Sequence, residues 1–64
     1  KNQNKATIKP IEKKLFKEAL TAFDFAIISD DTFIGAYYEK GKVLEKLGKY
    51  EDAIENYETT INIE

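Results

Sequence analysis

The chain has no cysteine, histidine, methionine or tryptophan among its 64 residues, and all ten of its cations are lysine. Each absence closes a route. Without cysteine no disulfide can staple the fold, and without histidine as well a metal site would have only carboxylates for side-chain ligands. The same gaps, together with the lack of a glycine-rich phosphate loop, leave nothing from which to build an enzyme's active site, and no cofactor is expected. Without arginine there is no bidentate fork for phosphate, and a net charge of −2 supplies no basic field, so nucleic acid is not an expected partner. No apolar run approaches the roughly 18 residues of a membrane-spanning helix, and no membrane partner is expected. No signal peptide is visible, and missing cysteines fit a cytoplasmic location, which is the expected one.

What is present is 42% apolar and 34% charged sequence, the composition of one small folded unit. A chain this short buries only about 60% of the surface it exposes when unfolded. Disulfides and histidine-based metal sites are excluded, so oligomerisation or membership of a longer parent chain is the expected support. The charge is uneven. Residues 1–17 carry six lysines against the single Glu12, a net +5, whereas the remainder carries eleven acids against four lysines, a net −7.

Residues 1–9, KNQNKATIK, are polar and without period, the signature of a flexible N-terminal segment. Pro10 is tolerated in a first helical turn, so a helix over residues 10–29 is expected to begin there. Its apolar residues Ile11, Leu15, Ala19, Leu20, Phe23, Ala26 and Ile27 follow helical spacing. Ala22, Phe25 and Ile28 add a second strip, as in helices covered on two sides. The break Ser29-Asp30-Asp31-Thr32 offers N-cap candidates for a second helix from Phe33 to Leu47, which Gly48 ends. The acids Asp30 and Asp31 are assigned to that helix start and not to an acid–base pair. A third helix is expected from Tyr50 to Ile63. Short links make neighbours antiparallel, giving an all-α, up-down-up arrangement.

The first and third helices carry the same pattern. Phe16, Glu18, Ala19, Leu20, Phe23 and Ile27 align with Tyr50, Asp52, Ala53, Ile54, Tyr57 and Ile61 at a constant offset of 34 residues. With Tyr37-x2-Lys40-Gly41-x2-Leu44 and Ala53-x3-Tyr57, the string resembles the tetratricopeptide repeat (TPR) family, whose pattern is W-x2-L-G-x2-Y, then A-x3-F, then P. Lys40, Thr60 and Asp31 depart from it, standing where leucine, alanine and proline are usual. The resemblance implies TPR-like helix hairpins of a superhelical array, about one and a half repeats. Residues 10–29 would be the second helix of a first repeat and residues 32–64 one complete repeat.

What the family does then becomes the functional expectation: a protein–protein interaction scaffold that binds a protein or peptide, expressed here as a fragment of a longer array. The alternative is a self-association module, in which another copy of the chain replaces neighbouring repeats. By the resemblance, Gly35, Tyr38, Lys42, Glu45 and Lys46 would line the partner-binding groove. The strip Ala22, Phe25 and Ile28 is assigned to stacking or self-association. Phe16, Ala19, Phe23, Tyr37, Gly41, Leu44, Tyr50, Ala53 and Tyr57 are assigned to repeat packing. Gly41 carries the argument, because glycine inside a helix costs roughly 1 kcal/mol relative to alanine. A second helix passing close by, with Ala53 opposite and Tyr50 and Tyr57 beside the contact, would offset that cost.

Overall fold

A computed structural model describes residues 8–64. It contains three helices: α1 Pro10–Ser29, α2 Ile34–Lys46 and α3 Tyr50–Ile63. The described residues include no strand. The expected flexible segment 1–9 lies mostly outside the described residues; Ile8 and Lys9 precede α1 without helical structure.

Local chemistry accounts for each boundary. Pro10 opens α1, and the Lys9 backbone N–H donates to the Glu12 carboxylate at 3.2 Å, which anchors the first turn. At the other end, the Asp30 N–H donates to the Ala26 carbonyl at 3.0 Å. Asp30 does not cap α2. Its carboxylate accepts from the Thr32 N–H at 3.0 Å and the Thr32 hydroxyl at 2.7 Å, closing an Asx-type turn within the link. Those two bonds hold the Asp30 carboxyl below its usual pKa, the hydroxyl bond contributing most. The N-cap of α2 is Phe33, with no side-chain cap bond, so the expected capping role of the Ser29–Thr32 break is corrected.

Gly48 ends α2 as a left-handed residue with φ +80°. The Lys49 N–H reaches the Leu44 carbonyl at 2.9 Å and the Gly48 N–H reaches that of Glu45 at 2.9 Å, the paired bonds of a Schellman motif. Residues Glu51 and Asp52 then lie in the first turn of α3, where the helix dipole favours negative charge.

The middle helix, α2, packs against both neighbours, and α1 and α3 do not pack against each other. The extents are 42 × 21 × 13 Å, with a radius of gyration of 12.8 Å. A spherical domain of this length would have about 10–11 Å, so the chain is a slab of side-by-side helices. Its core is correspondingly small. Among the described residues only Ala36, Gly41, Leu44 and Ala53 are buried, and none of them lies on α1. Three of the four have no side chain beyond a methyl group. Close backbone approach, more than bulk, fills the centre.

Candidate interaction surface

The repeat-packing residues divide by position on their helices. Gly41, Leu44 and Ala53 are buried, and Phe16, Ala19, Phe23, Tyr37 and Tyr57 are half-buried. Gly41 does sit at a helix contact, but what occupies its notch is the Tyr57 ring. A Cβ at position 41 would lie 2.5 Å from Tyr57 Cε1 and 2.9 Å from both Cδ1 and Cζ. Tyr57 projects from α3 one turn after Ala53, and its flat ring needs the space a side chain would take. Tyr50 differs from expectation: it is 59% exposed. It shares the stripe of Ala53 and Tyr57 but stands at the first turn of α3, and only Tyr57 reaches the space beside Gly41.

Around that notch the structure builds an ordered patch on α2. The Tyr38 ring lies 5.8 Å from the Tyr57 ring at an interplanar angle of 46°, a tilted aromatic pair. The ammonium of Lys42 sits 5.3 Å from the Tyr38 ring centroid, within cation–π range, and 3.8 Å from the Glu39 carboxylate. From α3, the Tyr57 hydroxyl donates to Glu45 Oε1 at 2.8 Å. Partial burial of its ring, and then the bond to Glu45, push the Tyr57 phenol up to about 12. The hydroxyl therefore stays protonated and holds its bond at any ordinary pH.

Of the five groove residues expected, Tyr38, Lys42 and Glu45 come together in this patch, with Tyr57 and Glu39 added. Gly35 stands at the edge of the patch. It lines an apolar cleft of about 400 Å³ between α1 and α2, with Ala22, Phe23 and Ala26 on one side and Phe33, Ala36 and Glu39 on the other. Lys46 is exposed in the last turn of α2. Tyr57 was legible only as a packing residue, because its 19-residue separation from Tyr38 hides a ring contact made across two helices.

The α1 strip is also split. Ala22 lines the cleft, whereas Phe25 and Ile28 remain 66% and 78% exposed. One ion pair ties α1 to α2, Lys40 Nζ to Asp24 Oδ1 at 2.7 Å. Lys40 replaces the leucine usual at that place, and here it spends its charge on the neighbouring helix.

Two antiparallel helices meeting at a glycine notch, with a third helix packed alongside and an ordered polar-aromatic face left in solvent, define a helical-repeat scaffold. Residues 34–64 match the tetratricopeptide repeat family, and the chain carries a tetratricopeptide repeat in the all-α hairpin fold of that family. Repeats of this kind generally mediate protein–protein interaction and are not themselves catalytic. No curated protein and no solved structure matches the chain. None of the described helices is long and apolar enough to cross a membrane.

Proposed function

We propose that this chain is a non-enzymatic, cytoplasmic binding scaffold that receives a protein segment on the exposed face of α2, through Tyr38, Lys42, Glu45 and Lys46, with Gly35 at the near edge. The observation carrying this reading is the Tyr38–Tyr57–Lys42 arrangement, because it is held in place before any partner arrives. Tyr38 is anchored against a neighbouring ring yet half exposed, so docking an apolar side chain there costs little ordering entropy. The lysines beside it favour a segment that also carries a carboxylate. Panning a random peptide library on the chain tests this. Selected peptides should combine an aliphatic or aromatic residue with an acid, and Tyr38→Ala should weaken them at least tenfold with helicity unchanged. Selected peptides whose affinity ignores both Tyr38→Ala and Lys42→Ala would remove the site.

A second reading, self-association, draws on a different observation. Phe25 and Ile28 on α1 and Tyr50, Ile54 and Ile61 on α3 are all more than half exposed, and they lie on the two outer helices of the slab. In a longer array these faces would meet neighbouring repeats, with residues 10–29 acting as the second helix of a preceding repeat; in the chain as it stands, another copy can cover them.

A further inference from the structure

Tyr38 gives the α2 patch its exposed aromatic surface, and Lys42 already stands on it. The ring is 50% exposed, yet the Lys42 ammonium lies over it, 5.3 Å from its centroid. The ammonium is held from a second direction as well, since the Glu39 carboxylate lies 3.8 Å from it. Tyr38, Glu39 and Lys42 all belong to α2, so helical spacing alone sets this arrangement.

The charges around it are unevenly committed. Glu45 accepts the Tyr57 hydroxyl at 2.8 Å. Lys46, one turn beyond Lys42, is exposed and in no ion pair among the described residues. A carboxylate arriving between Lys42 and Lys46 therefore meets two ammonium groups on one helix face. An apolar residue arriving at Tyr38 meets an obstacle. An ammonium is a compact, strongly hydrated charge, and an apolar side chain cannot settle on a ring that lies beneath one. Moving Lys42 aside gives up a cation–π contact worth about two- to fivefold in affinity at an exposed site. A carboxylate offers Lys42 a stronger, charge-assisted bond in exchange.

We propose that Lys42 is a removable cover on the Tyr38 ring, drawn off towards Lys46 by a carboxylate of the partner segment, which frees the ring for that segment's apolar residue. This rests on the α2 binding reading and adds a coupling between the two halves of the ligand. A segment with an acid beside its apolar residue gains more than either residue gains separately, because the acid lifts the cover that the apolar residue would otherwise have to displace.

The probes are the tightest library peptide carrying a glutamate beside its apolar residue, and a twin with glutamine in place of that glutamate. Lys42→Ala is an exposed, helix-compatible change, and circular dichroism should show unaltered helicity. It should tighten the glutamine twin by about two- to fivefold, because the ring is now bare, while the preference for glutamate over glutamine shrinks. Simple charge attraction would shrink that preference with the twin's affinity unchanged, and loss of structure would weaken both peptides; either result overturns the cover. In the free parent the methylene protons beside the Lys42 ammonium should be shifted upfield by the Tyr38 ring current, and Tyr38→Leu should abolish the shift. Lys42 protons at their ordinary position in the parent also overturn it. A library without acid-bearing binders, or peptides indifferent to Tyr38→Ala, removes the α2 site itself and the cover with it. Peptides that need Tyr38, with a twin no tighter on Lys42→Ala, leave the site standing and overturn only the cover.

Discussion

Ala19 and Ala53 occupy the same place in two helices that repeat at 34 residues, yet Ala53 is 1% exposed and Ala19 is only half-buried. One helical face away the order reverses: Leu20 is half-buried on α1, and its counterpart Ile54 is exposed on α3. The two helices carry nearly the same apolar pattern but cover it differently: Ala19, Leu20, Phe23 and Ile27 are all half-buried on α1, whereas α3 buries Ala53, half-buries Tyr57 and leaves Ile54 and Ile61 exposed. Each side of this pattern is made for a different neighbour. α3 buries its alanine side against α2 and leaves the other bare, whereas α1 half-buries both sides and lines its cleft with α2 through Ala22, Phe23 and Ala26. A repeat helix is therefore a two-sided part, and burial measures which side has been filled.

Several changes break or sharpen that contrast. The largest effect belongs to the notch that only the complete hairpin possesses. Gly41→Leu places a side chain where the Tyr57 ring already lies, since even its Cβ would be 2.5 Å from that ring. Overpacking of this kind costs about 1–3 kcal/mol, at the upper end here because backbone and ring meet directly. In a Tyr57→Ala background the cost of Gly41→Ala should reverse to a gain of up to about 1 kcal/mol, the helix-propensity difference. Urea titrations of the four combinations would show this as a crossed cycle; additive effects would mean that the ring does not occupy the notch.

A smaller difference should separate the matched alanines. Ala53→Leu is expected to cost about 1–3 kcal/mol, against about 0.5 kcal/mol or less for Ala19→Leu. Equal losses in thermal melts would erase the distinction between the two helices.

The smallest effect is a pH dependence confined to α3. The folded-state pKa of Tyr57 is raised, up to about 12, so folding favours its neutral form. Its contribution to stability is complete below the unfolded value of about 10 and is lost as pH rises from there towards the folded value. Tyr57→Phe should remove this component, so the parent's advantage over the variant shrinks across that alkaline window. Denaturation midpoints that fall in parallel for both proteins would show that the phenol is not held by Glu45. Phe23, the counterpart of Tyr57 on α1, has no hydroxyl and contributes no such dependence.

Helix number, the Gly48 stop and the 34-residue period were legible because each depends on residues within a turn or two of one another. Predicted bounds of Phe33–Leu47 for the second helix came within one residue at each end of Ile34–Lys46. The interaction patch was legible in part: Tyr38, Lys42 and Glu45 share one helix. Tyr57 completes it from another, and no local pattern reveals that. Asp30 was misassigned for a related reason. A carboxylate between two helices can serve the turn or the next helix, and the position of Thr32 decided for the turn.

By itself, then, the order of the residues determined the helices, their ends and the recurrence of one apolar pattern, all set by short-range bonding and spacing. Only the tertiary structure decided that Tyr57 fills the glycine notch, that Tyr50 stays exposed, and how far each side of a repeated helix is covered. The physical reason is that the recurring pattern offers two apolar sides, and burial goes to whichever one a neighbouring helix reaches.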